Sequence, residues 1–255
     1  MVQRGIMIDD IIVYGLLASL VAGLATGAGA LPVLVVRRVS EKLLDVMMGF
    51  AGGVMLAASA FSLLIPAIAV GGVWVAAISL AMGAFLIHLI DRFSPHTHFV
   101  AGKEGPSSHL ARLWLFVIAV TIHNFPEGLA VGVSFGGGDI ARGLVVATAI
   151  GLQNLPEGLA VAFPLVREHY SRRQALGYAT LTGLVEPVGG LLGAAVVSLA
   201  QPILPWGLAF AAGAMIFVVS DEMIPESHRK GYEREATFGL VVGFLAMMLL
   251  DNTLA

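Results

Sequence analysis

The sequence has no cysteine, and only 12% of its residues are Asp, Glu, Lys or Arg. Without thiols there can be neither a disulfide framework nor a thiolate zinc site. Any transition metal must therefore be held by imidazole, carboxylate, amide or thioether groups. So little charge cannot cover a soluble domain of 255 residues that is 58% hydrophobic, which leaves a polytopic membrane protein. A Walker A pattern is missing, as are H-E-x-x-H and the Glu-x-x-His helices of di-metal carboxylate bundles. The chain does not read as an enzyme: no catalytic residue or catalytic cofactor is expected, and neither ATP nor nucleic acid is an expected partner. Nor does the N-terminus read as a cleaved signal, because its apolar run is too long and Arg37-Arg38 follow it.

What is present is apolar runs near the ~20 residues needed to cross a bilayer. Eight are expected, at about 8–36, 43–70, 73–90, 113–135, 140–166, 174–200, 203–225 and 237–254. The runs are continuous rather than alternating, so the fold class is all-α, not a barrel. Gly49, Gly52, Gly53 and Gly189, Gly190, Gly193 have the small-residue spacing that lets membrane helices approach closely. Twelve of the fourteen Lys and Arg residues fall in the loops after the first, third, fifth and seventh runs. Positive charge favours the cytoplasm, which puts both termini outside the cell membrane. Trp74, Trp114 and Trp206 stand at run ends, as an interfacial aromatic belt requires. The longest linker, 91–112, reads as a cytoplasmic loop and carries His96, His98 and His109; nothing suggests a second domain.

No Lys or Arg interrupts the middle of a run; the ionisable groups there are His123, Glu127, Glu157, Glu186, Asp221 and Glu222. An interior of acids and one imidazole attracts cations and rejects phosphates, carboxylates and nucleotides. Intramembrane ionisable groups are costly enough to mark a functional site by default. His123-Asn124-Phe125-Pro126-Glu127-Gly128 is echoed thirty residues on by Gln153-Asn154-Leu155-Pro156-Glu157-Gly158. In each copy the first residue and the Glu are at i and i+4, on one helix face. Pro126 and Pro156 cannot donate to the carbonyls of Ile122 and Leu152, and Glu186-Pro187 repeats the device on the sixth run. At 1.5 Å per residue, His123, Gln153, Glu186 and Met55 all reach roughly 15–20 Å into their runs, near mid-membrane. Imidazole with carboxylates suits borderline divalent ions, and a purely hard-ion site would not use His123. An intramembrane metalloenzyme and an ion-coupled carrier of organic solutes are the competing classes.

At these residues the chain resembles the ZIP (Zrt/Irt-like) family of divalent metal transporters, in its bacterial branch, over essentially its whole length as a single domain, 1–255. The resemblance implies a transport site of His123, Asn124 and Glu127 from the fourth run, Gln153, Asn154 and Glu157 from the fifth, and Glu186 from the sixth. It implies Met55 as a further metal contact and Ser62 along the path. The stretch Ser220-Asp221-Glu222-Met223-Ile224-Pro225-Glu226 resembles the inner exit route, with Asp221 and Glu222 as relays and Glu226, His228, His96 and His98 as further pathway residues. Two departures stand out. Asn154 replaces an Asp that helps hold a second metal in some relatives, and Asp221 stands where His is frequent. Also implied are zinc uptake into the cytoplasm, with cadmium, iron and manganese as further ions, alternating access of an elevator kind, and homodimers in some members.

Overall fold

A computed structural model describes residues 8–36, 38–94, 96–98, 102–104, 112–228 and 230–254. Helix α1 spans Ile8–Ala30 and ends in a 3-10 turn at Leu31–Leu34. Helix α2, Glu41–Ala57, starts on Ser40, whose side chain caps the Leu43 amide, and runs through a π-helical segment, Ala58–Leu64, into α3, Ile65–Phe93. Gly72 breaks α3 with φ 81° and ψ 164°, a backbone region that is nearly closed to residues with a Cβ. The second and third predicted runs therefore form one 53-residue apolar stretch made of two helices that meet at Gly72, and the described residues hold seven such long apolar stretches.

Beyond α3, a small antiparallel hairpin pairs β1, His96–His98, with β2, Gly102–Glu104. It is the one departure from an all-helical fold among the described residues. Helix α4, Arg112–Gly136, continues through Pro126, and α5, Ile140–Arg167, continues through Pro156 and Pro164. The sixth predicted run is different, because it is two helices. Helix α6, Arg172–Gly183, opens with a capping box on Ser171 and Gln174, and α7, Glu186–Leu199, restarts after a turn at Leu184 and Val185. Helix α8, Leu204–Val218, leads through a second π-helical segment, Val219–Met223, into the short α9, Ile224–Ser227, and α10, Glu233–Leu254, follows.

The helices associate in pairs: α2 with α10, α3 with α8, α4 with α7, and α1 with α5. Glycine permits each pairing. A methyl at Gly53 would overlap the Leu240 carbonyl of α10, and one at Gly83 would overlap the Phe210 carbonyl of α8. Methyls at Gly128 and Gly158 would likewise overlap the carbonyls of Glu186 on α7 and Thr26 on α1. Without a hydrophobic force between helices in lipid, such backbone contact is what van der Waals association uses. Large apolar side chains such as Val21, Trp74, Phe85 and Phe238 project outward, which suits a surface wetted by lipid.

Candidate metal-translocation site

The paired motifs are brought together by hydrogen bonds between helices. Gln153 on α5 donates its Nε2–H to Glu127 Oε1 on α4 at 2.6 Å. One residue on, Asn154 donates through Nδ2 to Glu186 Oε1 on α7 and to the Ala22 carbonyl on α1, each at 2.7 Å. Glu127, Gln153, Asn154, Glu186 and Asn124 are all fully buried. Four helices thus converge on one knot of amides and acids. The break at 184–185 explains how Glu186 reaches it. Glu186 opens α7, where the helix N-terminus favours a carboxylate.

The knot is not satisfied internally. Glu127 Oε2, Gln153 Oε1, Asn154 Oδ1, Glu186 Oε2 and both polar atoms of Asn124 have no hydrogen-bond partner. Buried polar atoms are almost always paired, and five unpaired oxygens on residues of one knot form an arrangement that a cation satisfies. Negative charge is concentrated as well, since Glu127 lies within electrostatic reach of both Glu157 and Glu186. As the side chains stand, no three His, Asp or Glu residues among the described residues converge closely enough to hold an ion by themselves. The amides of Gln153 and Asn154 occupy one oxygen each of Glu127 and Glu186, and an ion that used both oxygens of either acid would have to take their place.

His123 and Glu157 face a different space. The His123 Nε2 lies 2.5 Å from Glu222 Oε2, across the seam between α4 and the second π-helical segment. His123, Glu157 and Glu222 line a cavity of about 90 Å³ whose other walls include Leu44, Asp45, Met48, Met223, Glu226 and Lys230. This cavity extends from His123 and Glu157 toward the start of α2 and the end of α5. The i and i+4 residues of each motif, expected to act from one face, are therefore divided, with Glu127 and Gln153 in the knot and His123 and Glu157 at the head of the cavity.

The remaining predicted residues fall as follows. Met55 is fully buried in the apolar core. Ser62, in the first π-helical segment, donates to Asp251 Oδ1 on α10 at 2.5 Å. Glu222 turns inward while its neighbour Asp221 is exposed. Glu226 reaches the cavity, whereas His228 is engaged locally, with Nδ1 2.9 Å from the Ile224 carbonyl and Nε2 2.9 Å from Thr237 Oγ1. His96 and His98 lie on β1, but their side chains, and the whole of His109, lie outside the described residues. Sequence reasoning missed Asp45, Asp251 and Lys230. The signal for Asp45 and Asp251 was a lone acid near the end of an apolar run, and for Lys230 a basic residue four positions after Glu226.

Known proteins resemble this sequence along most of its length. A family model described as the ZIP zinc transporter matches residues 100–251. The chain is 47% identical to the zinc transporter GufA of Myxococcus xanthus, over 94% of this chain and 98% of that one. It is 44% identical to the zinc transporter ZIPB of Bordetella bronchiseptica, over 94% and 81% of the two chains. To the zinc transporter ZupT of Corynebacterium glutamicum it is 39% identical, over 91% and 95%. These relatives are named as zinc transporters, and the chain matches each of them over most of both lengths. The chain belongs to the ZIP family of zinc transporters.

Proposed function

We propose that the chain carries zinc across the cell membrane into the cytoplasm, with cadmium, iron and manganese as further substrates, by alternating exposure of a mid-membrane site. The observation that carries this reading is the set of unpaired buried oxygens on Glu127, Gln153, Asn154 and Glu186. In this reading the ion is held by the knot, with Asn124 beside it. It then passes to Glu157, His123 and Glu222 at the head of the cavity. The bias of Lys and Arg puts the cavity's Lys230 end in the cytoplasm and both termini outside. Counting the two helices that meet at Gly72 separately gives eight crossings, which agrees with that placement. Chemistry also favours zinc. A site of one imidazole with carboxylates and amides binds borderline ions without the extreme affinity that would trap them.

Proteoliposomes containing the purified protein test this. They should take up Zn²⁺ and Cd²⁺ saturably, and Glu157→Ala, which removes the carboxylate at the cavity head, should abolish uptake while leaving the protein folded. Uptake by that variant at the parent rate would overturn the site.

A further inference from the structure

The Lys230 end of the cavity has a feature that the transport reading leaves unused. The Lys230 ammonium stands 3.5 Å from Glu41 Oε2, 3.7 Å from Asp45 Oδ1 and 4.0 Å from Glu226 Oε1. The other oxygen of Glu41 is taken by Arg167. Three carboxylates thus surround one ammonium, each at or beyond the outer limit of a hydrogen bond, and as they stand they are too far apart to hold an ion until they draw together. Asp45 makes the arrangement unusual. It is 1% exposed, it lines the cavity, and its Oδ2 has no hydrogen-bond partner, as is also true of Glu41 Oε2. A buried carboxylate facing a channel with an oxygen unpaired is expensive unless something fills it.

We propose that Asp45, Glu226 and Oε2 of Glu41 form a binding station for a divalent cation at the exit of the cavity, and that Lys230 occupies it until an ion displaces the ammonium. The proposal rests on the transport reading for its direction, but its chemistry is independent. A lysine ammonium is a compact point charge on a flexible stem, so it serves as a tethered stand-in for a cation. A dication brings twice the charge and takes oxygen ligands near 2.0–2.6 Å, distances at which the ammonium does not hold these carboxylates. Once the carboxylates draw in around the ion, Lys230 is released toward solvent, where it is already 26% exposed. When the ion leaves, the ammonium returns and weakens the attraction of the exit for the ion just released. The arrangement eases discharge without a second permanent trap. Its ligands come from α2 and α9, and the competing Lys230 from the segment after α9, all outside the four helices that build the amide knot.

Two measurements on the full-length protein in detergent test the station. In equilibrium dialysis with Cd²⁺, Lys230→Gln should bind an ion at the exit about tenfold more tightly than the parent, because the competing ammonium is gone. Adding Asp45→Asn to that variant should remove the gain. Equal Cd²⁺ binding by parent and Lys230→Gln would overturn the proposal. The second measurement needs no substitution. Acetylation of Lys230 by an amine-reactive reagent, read by peptide mass spectrometry, should rise several-fold when Cd²⁺ is added, relative to Lys42. Unchanged Lys230 reactivity would also overturn it. Running both assays on Glu157→Ala separates the two readings. A Cd²⁺ response at Lys230 in that variant, together with Zn²⁺ uptake at the parent rate, would defeat the mid-membrane site and leave the station standing.

Discussion

Asn154 is the residue whose chemistry most affects the site. Its amide nitrogen bonds the Ala22 carbonyl and Glu186 together, tying α5 to α1 and α7 in the absence of any ion. Asn154→Asp would replace that donor with a carboxylate against another carboxylate. In a metal-free buffer the variant should lose about 1–3 kcal/mol, the cost of breaking a buried hydrogen-bonded contact. Added Cd²⁺ should restore the loss, because two acids side by side call for a cation. Thermal denaturation with and without Cd²⁺ checks both halves, and a variant as stable as the parent in chelator would refute the account. His123 poses the complementary case. Its contact with Glu222 spans the seam between helices, so Glu222→Gln should slow Zn²⁺ uptake more than it weakens equilibrium binding. Initial rates measured beside dialysis would show whether the two part company.

At the scale of elements, the glycines decide which helices stay together. Gly53→Ala would push a methyl into the Leu240 carbonyl, and overpacking of that kind costs about 1–3 kcal/mol. A methyl at Gly177, by contrast, meets nothing within 4 Å, so Gly177→Ala should leave stability unchanged or slightly raised. Thermal unfolding of the two variants side by side is the check. The elements themselves were legible from apolar runs, and the predicted gap between 70 and 73 brackets the break at Gly72. The carboxylate-bearing motifs were legible too, because acids and prolines in an apolar run stand out by their cost. Two things were not. Spacing rules assume 3.6 residues per turn, but Val219–Met223 is π-helical, and this wider winding turns Glu222 inward and leaves Asp221 exposed. The pairing of Ser62 with Asp251, and of Lys230 with Asp45, joins residues almost two hundred positions apart, and neither partner announces the other.

Over the whole molecule the close backbone contacts fall into two sets. One joins α1, α4, α5, α6 and α7, and the other joins α2, α3, α8 and α10. Between the sets, the contacts made by glycines meet side chains rather than carbonyls, as where Gly207 faces Val133 and Gly137 faces Leu204. Polar ties across the seam include His123 with Glu222 and Arg167 with Glu41. If transport moves one set against the other, linking Glu41→Cys to Arg167→Cys with a bis-maleimide should stop Zn²⁺ uptake. The same reagent on Lys42→Cys and Glu235→Cys, both within one set, should not. The absence of native cysteine makes the comparison clean. Interlocked helices have one more consequence, which concerns the lipid. Each set carries its own belt of outward apolar side chains, Val21 and Leu17 on one, Trp74, Phe85 and Phe238 on the other. Displacing one belt relative to its neighbour forces the surrounding bilayer to thin or thicken locally, at fractions of a kcal/mol per Å. Acyl-chain length thereby becomes a kinetic variable: turnover should peak in lipids of one intermediate thickness and fall in shorter and longer ones.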